Sequence, residues 1–140
     1  MKTLVFVSVV LCTLLFGSLS WTSTAATDVH KHKAVAQFDN RVTVQGVALK
    51  GQYLFVHDDA AMNRGDACTF IYKGKVEVAD KLVASFHCTH VERAKASRFT
   101  VRTLETTPGT VELREFQFSG ETTAHAVPTS AKIAVVPLVN

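Results

Sequence analysis

The amino-acid sequence predicts an all-β domain, a small antiparallel β-sandwich or barrel of about seven or eight strands tied by one disulfide. Three observations carry this expectation. Apolar and polar residues alternate with period two over most of the chain. Glycine- and proline-bearing turns punctuate the alternating runs. Beyond an apolar leader, the cysteines form an even pair, Cys68 and Cys88.

The leader comes first. Lys2 is the only charge before Asp28, and Leu4 to Leu15 is a nearly unbroken apolar run followed by Gly17, Ser18, Ser20 and the small-residue cluster "STAA". This is the layout of a secretory signal peptide over residues 1–26, with cleavage expected after Ala26 or Ala25. A spanning helix needs about 20 apolar residues, and this run is shorter. The expected mature chain therefore has no transmembrane segment and works in the periplasm or outside the cell. Residues 27–34 are polar and irregular and read as a flexible arm; residues 35–140 form a single β domain with one core.

Within that domain "RVTVQG" alternates Val42 and Val44 with polar neighbours, and "GQYLFVHD" puts Tyr53, Phe55 and His57 on one face, Leu54 and Val56 on the other. "CTFIYK" sets Cys68, Phe70 and Tyr72 on a common face, and "KLVASFHC" does the same for Leu82, Ala84, Phe86 and Cys88. In "SRFTVRTL" Phe99 and Val101 oppose Arg98, Thr100 and Arg102. "TVELREFQFSG" starts with Val111 and Leu113 in phase, then Phe116 and Phe118 arrive one residue late, which a β-bulge near Arg114–Glu115 would absorb. "TAHAV" and "AKIAVV" are further candidate strands. The expected turns are Lys50-Gly51, Lys73-Gly74-Lys75 and the hairpin turn Thr107-Pro108-Gly109-Thr110. "HDDAAMNRGD" and "HVERAKAS" alone tolerate a turn or two of helix.

The stretch "VTVQGVALKGQYLFV", residues 42–56, resembles the strand–turn–strand opening of small exported bacterial all-β proteins with no assigned activity. The resemblance implies a bacterial exported β-domain and implies no chemistry. "GQYLFVHDDAAM" also echoes the copper loop of cupredoxins, but Val56 or His57 stands where their cysteine ligand should be.

In an oxidising compartment the first expectation for Cys68 and Cys88 is a disulfide. An antiparallel hairpin that sets Cys68 opposite Cys88 also sets Phe70 opposite Phe86 and Tyr72 opposite Ala84, so one register serves both the sulfurs and the aromatic face. In it His87 points away from Cys88. The histidines leave a rival reading, a copper or zinc site drawn from His57, Met62, His87 and His90, or from the pair His30 and His32. His125 stands isolated in a candidate strand.

The formal net charge is +3, with basic residues dispersed among acidic ones and no stripe of Lys and Arg interleaved with aromatics, which speaks against nucleic acid. There is no G-x-S-x-G elbow, no HExxH and no phosphate-cradling glycine loop. The expectation is a non-enzymatic structural or binding domain whose partner is an unknown protein or small molecule, without a cofactor. The alternative is a periplasmic or extracellular copper- or zinc-binding protein.

Overall fold

A computed structural model describes residues 30–129. The expected signal peptide, the start of the expected arm and the candidate strand "AKIAVV" lie outside these residues. Strands dominate the described chain: β1 (Lys31–Val44), β2 (Val47–Asp58), β3 (Thr69–Lys73), β4 (Leu82–Phe86), β5 (Thr89–Glu92), β6 (Thr100–Thr107), β7 (Thr110–Gln117) and β8 (Thr123–Ala126). Two single turns of helix join them, α1 (Asp59–Asn63) and a 3-10 turn at Ala79–Lys81. No helix among the described residues is long and apolar enough to cross a membrane.

The eight strands make one curled sheet, a half-barrel, in the order β4-β3-β2-β1-β7-β8-β5, with β6 on the other edge of β7. The all-β expectation therefore holds, but the sheet is mixed rather than antiparallel: β1 runs parallel to β7 where Thr43 meets Glu112. The long first strand causes this. Its far end extends beyond the β1–β2 hairpin's bulge and reaches β7, which offers that edge below its pairing with β8. The outermost strands of the order, β4 and β5, are consecutive in the chain and separated only by His87 and Cys88. So short a link between opposite edges requires the sheet to curl, and Cys88 lies in the seam.

β1 begins at Lys31, so Lys31 to Ala34, expected in the arm, are strand residues paired with Asp58 to Phe55 of β2. The β1–β2 turn is Gln45-Gly46, not Lys50-Gly51; both turn residues have positive φ, 48° and 79°, which matches the right-handed twist of a two-residue hairpin. Gly51 instead sits inside β2 opposite Phe38, where the register shifts. The Thr107–Thr110 turn forms with Gly109 at φ 79°, and Gly74 follows β3 at φ 90°. The expected bulge in β7 is present: Arg102 pairs with Glu115 and Thr103 with Leu113, leaving Arg114 unmatched. Of the two helix-tolerant windows, the first holds α1, capped by Asp58, whose carboxylate accepts from the Ala61 amide at 3.0 Å. The second holds β5.

The concave face carries the core, with Phe38, Leu49, Phe55, Ile71, Leu113 and Phe116 buried together. On the other face of β2, Leu54 and Val56 are covered by Tyr72 and Phe70. The β3–β4 hairpin forms, but one residue out of the expected register: Phe70 meets Ser85, Thr69 meets Phe86, and a bulge then sets Tyr72 against Leu82. A one-residue slip exchanges faces. Ile71 consequently fills the core, fully buried, while Phe70 and Tyr72 turn to the opposite side. Both cysteines fall just outside the strands, where the ladder no longer dictates their direction.

Candidate metal centre

The expected disulfide is not formed. The Cys68 and Cys88 sulfurs are 3.3 Å apart and both are free thiols, each fully buried. The backbone explains how they meet despite the slipped register. The Cys68 amide donates to the Phe86 carbonyl at 3.1 Å, and the Cys88 amide donates to the Cys68 sulfur at 3.3 Å instead of to a ladder carbonyl. Leaving the strand turns Cys88 into the core.

There it faces two histidines. His57 continues the inward face of Tyr53 and Phe55 to the end of β2, and its Nδ1 lies 3.7 Å from the Cys88 sulfur. His125 comes from β8, with its Nδ1 3.6 Å from the same sulfur. The ligating atoms of the three residues lie within 4.8 Å of one another, and all three side chains are buried. The His125 ring is stacked on Phe116 at 5.0 Å and edged by Phe118 at 5.7 Å, so its orientation is held by packing. His57 Nδ1 also lies 3.5 Å from the Thr69 hydroxyl.

These separations have a chemical meaning. Zinc bonds to thiolate and imidazole at about 2.3 and 2.0–2.1 Å, so around a tetrahedral ion the sulfur–nitrogen edge is about 3.6 Å. The observed 3.6 and 3.7 Å match that edge. The sulfur–sulfur edge of such an ion would be about 3.8 Å. Cys68, at 3.3 Å from Cys88, would therefore have to withdraw slightly to serve as a fourth ligand.

Outside the triad the donors continue. The Asp59 carboxylate is 3.0 Å from His57 Nε2 and that of Glu121 is 3.7 Å from His125 Nε2. Each histidine thus shows Nδ1 to the sulfur and Nε2 to a carboxylate, the arrangement by which carboxylates orient metal-binding imidazoles. His32 lies between the two carboxylates, Nδ1 2.6 Å from Glu121 and Nε2 3.5 Å from Asp59. His90 pairs with His125 across β5 and β8, ring centres 5.2 Å apart. His30 stacks on His32 at 6.2 Å. A cavity of about 300 Å³ opens from His125 to the surface, lined by His32, Asp59, Met62, His90 and Glu121 among others.

The electrostatics suit metal rather than proton chemistry. Burial holds His125 down to about 3, aided by His57, His90 and His32, and burial also lowers His57, partly offset by Asp59. Both imidazoles are therefore neutral, with lone pairs available. Burial pushes the Cys88 thiol up to about 12, so at neutral pH it keeps its proton unless a cation displaces it. Burial likewise raises Glu121.

Of the residues expected from sequence, His57 is in the triad, His32, His90 and Met62 line the cavity, and His30 stacks at its rim. His87 is not brought in; it is exposed and its Nδ1 lies 2.7 Å from the Asp66 carbonyl. Sequence reasoning missed His125, Asp59 and Glu121. His125 occupies an unremarkable strand, and only the pairing of β8 with β5 and β7 carries it to Cys88. The one available hint was abundance: five of six histidines gather at this end of the sheet. Comparison with protein-family models, with curated proteins and with solved structures found no match.

Proposed function

We propose that the protein is a non-enzymatic metal-binding domain that acts after export, with a zinc or copper ion held by His57, Cys88 and His125. The observation that carries this reading is the pair of 3.6 and 3.7 Å sulfur–nitrogen separations among three buried side chains. Thiolate and imidazole together favour Zn²⁺ and Cu⁺ over the hard, oxygen-seeking ions. A catalytic thiol is the obvious competitor for a Cys–His contact. A nucleophilic cysteine is activated by a lowered pKa, whereas burial moves Cys88 in the opposite direction and leaves it no exposed surface. Export is supported by Lys2, the apolar run Leu4 to Leu15 and the small residues after it.

The test is titration of the reduced protein with Zn²⁺ and, anaerobically, with Cu⁺, against a competing chelator. One ion should bind through Cys88 with sub-micromolar affinity, and Cys88→Ser should lose at least two orders of magnitude. Equal affinity in Cys88→Ser would remove the triad as the binding site.

A further inference from the structure

The connection between β3 and β4, residues 74–81, reverses the usual order of burial. Glu77 is held by two lysines of β1, 3.1 Å from Lys31 Nζ and 2.6 Å from Lys33 Nζ. β1 lies two strands from β3, so the connection reaches back across β2 on the outer face of the sheet, the face opposite the metal centre. Along Lys75-Val76-Glu77-Val78 the carboxylate therefore turns toward the protein while the valines turn to solvent, 51% and 39% exposed. A cross-strand row continues this apolar surface. Val35 pairs with Leu54, Leu54 with Tyr72 and Tyr72 with Leu82, so the four side chains stand side by side across β1, β2, β3 and β4. Leu54 and Tyr72 are buried, whereas Val35 and Leu82, at the ends of the row, are exposed. Four of the six large apolar side chains exposed among the described residues thus belong to this one face.

Lysines accompany them. Lys31 and Lys33 stand on β1, and Lys73, Lys75 and Lys81 lie in or beside the connection, all exposed. Against these five the connection carries two carboxylates, Glu77 and Asp80. Asp58, opposite Lys31, is turned to cap α1. The composition indicates the kind of partner that fits. Protein interfaces rely on Trp, Tyr and Arg and are depleted in lysine, with Leu and Val under-represented among their hot spots. Aliphatic side chains flanked by lysines suit an anionic bilayer, where the ammonium groups meet the headgroups and the apolar groups enter the boundary beneath. We propose that this outer face docks on an anionic lipid surface, with Val76 and Val78 entering the interface and Lys75 and Lys81 on the headgroup phosphates. The thiolate centre lies on the inner face, so this docking is independent of metal binding.

Vesicle flotation of the processed chain, which is expected to begin after Ala26, is the test. Vesicles of phosphatidylglycerol with phosphatidylcholine should carry the protein, vesicles of phosphatidylcholine alone should not, and added salt should weaken the binding. Val76→Ser combined with Val78→Ser should lower the partition about tenfold or more, and so should Lys75→Gln combined with Lys81→Gln. All four side chains are exposed, so both variants should fold, which circular dichroism checks. No partition onto the anionic vesicles overturns the proposal, as does full binding by both variants. Loss in the lysine variant alone would reduce the contact to charge and remove the valines from it. Self-association without vesicle binding, abolished by the valine variant, would make the face a protein interface and overturn the lipid assignment.

Discussion

Cys88 occupies a position where three chemistries compete: a hydrogen-bonded thiol, a metal thiolate and half of a disulfide. Burial decides the first contest. With the thiol raised to about 12, metal binding must expel a proton, while His57 and His125 bring none because burial keeps them neutral. Over the neutral range the apparent affinity for Zn²⁺ should therefore rise about tenfold per pH unit, reflecting one proton released per ion. Chelator competition at several pH values measures the slope. A flat profile would mean that Cys88 stays protonated and is not a ligand.

At the scale of the elements, the β1–β2 hairpin is what pairs His32 with His57, and it depends on the turn at Gln45-Gly46. Nothing lies within 4 Å of the place a Gly46 Cβ would occupy, so Gly46→Ala tests backbone conformation alone. At φ 79° it should cost about 1–2 kcal/mol, read as a lower urea midpoint. Strand β7 carries a second dependence. Glu115, 6% exposed, receives Arg93 at 3.0 and 2.7 Å and is in contact with Arg102, and the Arg93 hydrogen bonds hold its carboxyl below the ordinary value of 4.5. A depressed folded-state pKa contributes stability above 4.5 that is lost as pH falls through the folded value. Urea midpoints should fall below pH 4.5, and Glu115→Gln should flatten that part of the profile while lowering stability at neutral pH. Next to it Gln117, fully buried, donates to the carbonyls of Ala94 and Glu121 at 2.9 Å each, which ties the loop bearing Glu121 to the sheet.

For the molecule as a whole, the short link between β4 and β5 joins the curl of the sheet to the candidate metal centre through a single residue, Cys88. A two-electron oxidant that joins Cys68 to Cys88, with loss of two protons, takes away the thiolate the ion needs. Oxidised protein should therefore fail to bind zinc at the triad, and zinc added first should slow the loss of titratable thiols. Thiol counting under denaturing, non-reducing conditions, with and without zinc, checks both. Equal zinc affinity in the oxidised and reduced forms would separate the two roles of Cys88. Where zinc does bind, an ion at about a hundred times its dissociation constant adds about 2.7 kcal/mol to the folded state.

Much of this molecule is legible along the chain because period-two alternation is local. It identifies the inward face of Tyr53, Phe55 and His57, and the out-of-phase Phe116 announces the bulge at Arg114. Turn chemistry is equally local, as Pro108-Gly109 demonstrates. Alternation states which residues share a face but not which strand lies alongside, and here that mattered. One residue of register separates a hairpin with Phe70 in the core from the observed one with Ile71 there. The parallel contact of β1 with β7, and the pairing of β8 with β5 that carries His125 to Cys88, join segments distant in the chain. Sequence alone thus determined most of the strands, the turns at Gly74 and Pro108-Gly109 and the supply of histidines, but not β5 or the turn at Gln45-Gly46. Tertiary structure decided which histidines meet the thiol, because strand order and sheet curl arise from burying the whole apolar face at once, a condition no short stretch of sequence contains.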